Sequence, residues 1–271
     1  MVCATPIGNL GDISDRLRVA LASADVIYAE DTRRTSKLLS HLAVSVPLRS
    51  LFLGNEAVRT EELTEAVAKG QTVVIVSDAG MPTISDPGAE AIRRVRAEGL
   101  PVVVVPGPSA VTTALALSGF GGDRFVFEGF LPRRGQGRSD RLDSIGREER
   151  PVVIFASPHR LARDLADLAG ACGGQREVAV TRELTKLHEE VWVGTLADAV
   201  ATWGDEVRGE VTVVLGPTEI EEPSFESAVA SAQALVADGM SLSDAARQVA
   251  TGTGLSRRVI YQALLGGQES S

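Results

Sequence analysis

The chain has 271 residues, of which 44% are hydrophobic and 23% charged, and it carries a formal net charge of −9. That length leaves room for two domains with separate cores. The acidic balance excludes a surface coated in basic side chains for non-specific nucleic-acid binding, but not a local basic patch. No apolar run reaches the roughly 18 residues of a membrane helix. The start "MVCATPIGNL" lacks the basic-then-apolar order of a signal peptide. Cys3 and Cys172 lie far apart, and His41, His159 and His188 are the three histidines. They form neither a disulfide framework nor a metal constellation, which fits a reducing cytoplasm.

In chain order, Val2 to Ala4 is a short β-prone run followed by the loop "TPIGNLGD". "ISDRLRVALASA" puts Ile13, Leu17, Ala20, Leu21 and Ala24 on one helical face. "DVIYAED" predicts a strand, and "RRTSKLLSHL" and "EELTEAVAKG" predict helices. "TVVIVSD" predicts a strand, "GAEAIRRVRAEG" a helix, and "PVVVVPG" a further strand. "PSAVTTALALSG" predicts a helix with Pro108 just inside its start. This alternation predicts a largely parallel sheet with helices on both faces. Ligands of such sheets bind at the carboxyl ends of the strands. Three Gly/Pro loops, "TPIGN", "DAGMPTISDPG" and "PGPSA", fall at that edge.

The second half has five strand candidates, "RFVFEGF", "PVVIFAS", "REVAVTREL", "EEVWVGT" and "VTVVLGP". Helices are predicted only around "HRLARDLADLAG" and "LADAVATW". Strands that follow each other closely predict a mixed sheet with antiparallel pairs. The boundary is placed near Ser118 to Arg124, giving domains at 1–119 and 120–218. "EIEEPSFES" is taken as a linker opening a small module at 219–271. That module holds three helical patterns, with Ser241 and Asp244 near a capping box and "TGTG" as the turn, in the rhythm of a helix-turn-helix.

The central loop "VSDAGMPTISDPG" follows a buried strand, as phosphate loops do, but it carries Asp78 and Asp86 and no Lys or Arg. A G-x-G-x-x-G fingerprint after the first strand and a Walker A loop are both absent. A nucleoside-like ligand without a phosphate chain remains, and S-adenosylmethionine, cationic at sulfonium and ammonium, is such a ligand. On the residues alone, the two carboxylates could equally cap turns and helix starts.

The blocks "ATPIGNLGDIS", "AEDTRRTSKLL", "SDAGMPTISDPG", "VPGPSA", "GFLPRR" and "TRELTKLHEE" occur in order along nearly the whole chain. Together they resemble the ribosomal RNA small subunit methyltransferase I family, in the tetrapyrrole-methylase superfamily of S-adenosylmethionine enzymes. The resemblance implies two α/β domains of tetrapyrrole-methylase type, a homodimer, and a cofactor held between the domains. It also implies methylation of the ribose 2′-hydroxyl of a cytidine in the decoding region of 16S rRNA. Carried over by position, the cofactor pocket takes Pro6 from the first loop and Asp78, Ala79, Gly80, Ile84, Ser85 and Asp86 from the central loop. Ser109 and Ala110 follow from "PGPSA", and Phe155 and Leu184 from the second domain.

"EDTRRTSKLL" sets Glu30, Asp31, Arg33 and Arg34 at a strand's carboxyl end, as a polar wall facing the RNA or as a capped helix start with solvated arginines. "TRELTKLHEE" brings Arg182, Glu183, Lys186, His188 and Glu189 into a turn that could be a hairpin surface or could orient the attacking hydroxyl. Asp31 and Glu183 are candidate bases, and Arg33 and Lys186 candidate cations. "PRRGQGRSDR", with four Arg against one Asp, is expected as a Gly-rich loop that tracks phosphate through Arg133, Arg134, Arg138 and Arg141. Arg257 and Arg258 are expected to add RNA contacts. Two rival readings stand: a superfamily enzyme acting on a tetrapyrrole or a protein side chain, and a ligand-sensing DNA-binding regulator using Arg247, Arg257 and Arg258. Three arginines are few for duplex binding.

Overall fold

The computed structural model describes residues 1–204, 207–218 and 225–268. The first stretch alternates strand and helix: β1 (Val2–Cys3), α1 (Asp15–Ala22), β2 (Val26–Ala29), α2 (Thr32–His41), β3 (Leu48–Ser50) and α3 (Glu56–Ala68). It continues with β4 (Val73–Val76), α4 (Ala89–Ala97), β5 (Val104–Val105) and α5 (Ala110–Ser118). All pairs in this sheet are parallel, in the order β3-β2-β4-β1-β5. Both faces are covered, and the two-residue period of the strands sorts the side chains. Ile27, Ala29, Val74 and Val76 pack with Leu17 and Leu21 of α1 and Leu38 of α2. Val26, Tyr28, Val73 and Ile75 pack with Leu63 of α3 and Val95 of α4. A strand buried on both sides needs this continuous apolar run.

The second sheet follows: β6 (Val126–Phe130), α6 (Gln136–Gly146), β7 (Val152–Ala156), α7 (Leu161–Cys172), β8 (Glu177–Arg182), β9 (Glu190–Thr195), α8 (Leu196–Thr202) and β10 (Val211–Leu215). Its order is β6-β7-β10-β8-β9, with β6–β7 parallel and the other pairs antiparallel. Ile154, Val180 and Val213 face a core with Leu161, Leu165 and Leu196. On the other face Val153, Ala179 and Val214 meet Val111, Ala114 and Leu115 of α5. Helix α5, from the first half of the chain, thus packs on the second sheet.

Two differences from the sequence reading have physical causes. Much of the expected arginine loop is helix α6. Its N-cap is Gly135, whose φ of 83 is one that glycine adopts readily. Its Arg138 turns inward to donate to Asp164 at 2.7 Å and Asp167 at 2.6 Å on α7. The Pro132 carbonyl accepts a third bond at 2.9 Å. Pro108 stands outside α5, whose N-cap is Ser109.

The chain clusters into two compact units, Met1–Thr218 and Glu219–Ser271. The first six residues of the expected linker, 219–224, lie outside the described residues. The second unit shows α9 (Phe225–Ala237), α10 (Leu242–Thr253) and α11 (Arg257–Gln268) around Ala232, Ala246, Val249, Ile260 and Leu264. Ser241 caps α10 by accepting from the Asp244 N–H at 3.1 Å. Helix α10 runs through most of "TGTG" and ends at Gly254, whose φ of 69 suits a left-handed cap.

Candidate active site

Three loops at the carboxyl edge of the first sheet converge on Gly80. The Thr5 N–H donates to the Gly80 carbonyl at 2.9 Å and the Gly80 N–H to the Thr5 carbonyl at 3.1 Å. Gly80 has φ of 82, and a side chain there would start 3.2 Å from Ile7 Cγ2 and 3.4 Å from the Pro108 carbonyl. The positive φ favours glycine, and a side chain would also press on Ile7. The Ser77 hydroxyl donates to the Gly80 carbonyl at 3.0 Å, closing the turn. Further along, Thr83 and Ser85 hold left-handed conformations without being glycine (φ 74 and 67). Such conformations persist where the surroundings impose them, and they cluster at ligand sites.

The second sheet supplies the opposite wall from the ends of β6, β7 and β8 and the start of β10. These fall on one edge because β10 runs antiparallel to β7 and β8. Between the walls lies a cavity of about 380 Å³. Asp78, Ala79, Gly80, Ile84, Ser85, Asp86, Ser109, Ala110, Phe155 and Leu184 all line it. Pro6 does not; it lines a second cavity of about 200 Å³. Asp31, Arg33, Glu183 and Lys186 line neither. Arg34, Phe130, Glu210 and Thr212 line the first cavity and are absent from the sequence-based pocket. Phe130 extends the ring surface of Phe155, with centroids 5.5 Å apart. Thr212 interrupts the valines of β10, a polar residue in an otherwise apolar strand, which is the one signal the sequence offered.

Carboxylates dominate the charge on the first wall. Asp78 accepts from the Asp31 N–H at 2.8 Å and faces Arg34 at 3.6 Å. The carboxyl of Asp86 is pushed up to about 7, first by burial and then by the charge of Glu30. Glu30 is raised in turn, first by burial and then by Asp78. Each of these carboxylates makes its neighbour harder to ionise.

The two candidate bases are differently placed. Asp31 caps α2 and is held below the usual carboxylate range by hydrogen bonds from Arg33. Glu183 is lowered by the Lys186 ammonium, 2.7 Å away, and by the Glu210 N–H at 2.9 Å. Burial alone would lower Lys186, but its bonds to Glu183 and Glu210 outweigh that and hold it above its ordinary value. The corner itself is strained, with φ of 52 at Glu183 and 67 at Thr185, and it presents Leu184 to the cavity. Of the expected phosphate contacts, Arg133, Arg134, Arg257 and Arg258 are exposed, and Arg141 is exposed but paired with Glu128. Arg138 is only 4% exposed and held by Asp164, Asp167 and the Pro132 carbonyl, so its assignment as an RNA contact is corrected to a buried structural role. Among the described residues no group of three His, Cys, Asp or Glu side chains could hold a metal ion, and no helix is long and apolar enough to cross a membrane.

A parallel sheet and a mixed sheet enclosing a loop-built cavity define a methylase of the tetrapyrrole (corrin/porphyrin) type, and that family's model matches residues 2–200. The model of the RsmI C-terminal HTH domain matches residues 224–268. Ribosomal RNA small subunit methyltransferase I of Mycobacterium bovis is 45% identical over 266 residues, covering 97% of this chain and 93% of the relative. The protein of that name from Synechocystis is 43% identical over 263 residues, covering 96% and 94%. The chain belongs to the ribosomal RNA small subunit methyltransferase I family and is a methyltransferase. Solved structures share the fold: diphthine synthase at TM-score 0.63 and 16% identity covers 79% of this chain and 88% of its own. Uroporphyrin-III C-methyl transferase from Thermus thermophilus, complexed with S-adenyl homocysteine, has TM-score 0.56 and 17% identity, covering 79% and 95%.

Proposed function

We propose that this chain transfers a methyl group from S-adenosylmethionine to the ribose 2′-hydroxyl of a cytidine in the decoding region of 16S rRNA, within the small ribosomal subunit, as a cytoplasmic homodimer. The observation that carries this reading is the similarity, over nearly the full length of both chains, to proteins named ribosomal RNA small subunit methyltransferase I.

The residues present fit the donor. The cavity volume of about 380 Å³ lies in the range of small-ligand sites. Asp78 and Asp86 suit a cationic ligand, and the central loop has no Lys or Arg to favour a phosphate chain. Phe130 and Phe155 offer apolar ring surface for a planar base. S-adenosylmethionine supplies, when bound, an electrophilic sulfonium methyl and needs no metal.

The chain's own part is to bind, align and exclude water. Asp31 and Glu183 are both engaged by cations and held below the usual carboxylate range, so at neutral pH they are ionised and weak proton acceptors. Alignment of the ribose oxygen in a site with preset walls then supplies much of the acceleration: the oxygen–carbon bond forms as the carbon–sulfur bond breaks, the sulfur leaves as a neutral thioether, and the hydroxyl proton passes to bulk water. The test is to methylate small subunits with the purified protein, digest the RNA and identify the product nucleoside by mass spectrometry. The expected product is 2′-O-methylcytidine. A base-methylated nucleoside, or methylation of another nucleotide, contradicts the assignment.

A further inference from the structure

The second cavity lies beside the donor cavity and shares Arg34 and Asp78 with it, so this pair, 3.6 Å apart, forms the partition. The floor is already satisfied: the Thr5 hydroxyl donates to the Ser77 carbonyl at 3.2 Å and the Ser77 hydroxyl to the Gly80 carbonyl at 3.0 Å. Pro6, Leu10 and Leu38 make the walls apolar, and Leu10 is 46% exposed. Lys37 stands at the rim, one turn after Arg34 on α2 and therefore on the same helical face. It is exposed, and among the described residues it makes no ion pair. Its neighbour Arg33 is instead engaged by Asp31 at 2.6 Å. An unpaired ammonium at the mouth of a half-apolar cavity, in a chain of net charge −9, is a local site for an anion.

Size narrows the ligand. About 200 Å³ is below the roughly 300 Å³ at which small-molecule pockets usually begin. A tetrapyrrole macrocycle is too large, whereas one sugar with its flanking phosphate fits while the rest of the strand runs outside. We infer that this cavity seats the acceptor as one sugar–phosphate unit of a single-stranded polyribonucleotide, with Lys37 on the phosphate, Pro6, Leu10 and Leu38 against the sugar or base, and Arg34 at the partition between acceptor and donor.

This inference rests on the proposed function, and the experiment separates the two. Full-length parent, Lys37→Glu and Lys37→Arg proteins are titrated with a fluorescent single-stranded oligoribonucleotide across a salt series, without donor, and assayed on small subunits. Lys37→Glu is expected to weaken oligoribonucleotide binding about tenfold and to reduce the slope of log affinity against log salt by about 0.7. Its KM for subunits rises, Lys37→Arg restores both, and S-adenosylmethionine affinity by calorimetry stays at the parent value. Parent-like RNA affinity and salt slope in Lys37→Glu, with an active parent, overturn the acceptor site and leave the proposed function standing. A parent that binds S-adenosylmethionine but methylates no RNA overturns both.

Discussion

The Asp78 carboxylate accepts a hydrogen bond of 2.8 Å from the backbone N–H of Asp31. The bond ties the loop after β4 to the turn that starts α2, while the same side chain supplies negative charge to the cavity wall. Asparagine keeps the acceptor and removes the charge. Asp78→Asn is therefore expected to keep the parent's thermal midpoint but to weaken S-adenosylmethionine binding about tenfold, or about 1.4 kcal/mol. Asp78→Ala should lose the same affinity and also about 1 kcal/mol of stability from the unpaired N–H. Calorimetry and thermal melts on both variants check this; parent-like affinity in Asp78→Asn contradicts the charge role.

Asp86 gives the site a pH dependence. Its folded-state value of about 7 exceeds the ordinary value of 3.8. The folded state therefore prefers the neutral carboxyl, and that stability is intact below the ordinary value and lost as pH rises through about 7. Asp86→Asn should melt with less pH dependence over that window and above the parent at alkaline pH. Binding a cation favours the ionised form, so parent affinity for S-adenosylmethionine should rise through the same window with release of a proton. Calorimetry in buffers of different ionisation enthalpy reads that proton. PH-independent affinity in the parent contradicts the role given to Asp86.

Arg138 and its sequence neighbours should separate cleanly. Arg138 and Asp164 each have side chains 5% exposed and lie 2.7 Å apart. Arg138→Ser leaves a buried carboxylate uncompensated and is expected to cost about 3–5 kcal/mol. Arg133→Ser with Arg134→Ser should leave the thermal midpoint unchanged and flatten the salt dependence of RNA binding by up to about 0.7 per lost contact. Melts and salt titrations of the two variants decide; a stable Arg138→Ser protein with weakened RNA binding would reverse the assignment.

Helix α6 shows why part of the fold was hidden in the sequence. "PRRGQGRSDR" has two glycines and four arginines and little apolar period, so local pattern favours a loop. What makes it helical is tertiary: Arg138 pairs with α7, and Ile145, 1% exposed, packs in the core of the second sheet. Strand β3, Leu48–Ser50, carries no strand signal in its own residues for a related reason, since it gains strand character only by pairing with β2. The edge strand β5 is shorter than "PVVVVPG" predicts, with Val103 and Val104 53% and 50% exposed. The loop side of the cavity was legible because Gly and Pro mark close backbone approaches such as Gly80. Phe130 and Glu210 were not, because strand ends carry no motif and meet the loops only after the second sheet folds; Thr212 left only the hint of one polar residue in an apolar strand.

Two glycines give opposite expectations for the same substitution. A side chain on Gly8 would start 2.9 Å from the Leu184 carbonyl and 2.9 Å from Thr185 Oγ1, so Gly8→Ala forces the first loop off the β8–β9 turn. A loss of about 1–3 kcal/mol is expected, as for overpacking elsewhere. Gly137 lies in α6 with nothing within 4 Å of the added atom. Gly137→Ala, in the first turn of α6, should stabilise by up to about 0.5 kcal/mol through helix propensity. Denaturant titrations of both read the sign directly, and a tolerated Gly8→Ala contradicts the close contact.

The central claim is methyl transfer to small-subunit RNA, and it is tested most directly by tritiated S-adenosylmethionine offered with 30S particles, free 16S rRNA and duplex DNA in parallel. Label is expected in the RNA of 30S particles, in nuclease-sensitive form, and absent from the duplex. Label in none of the three, with S-adenosylmethionine bound normally by the same protein, would contradict the account.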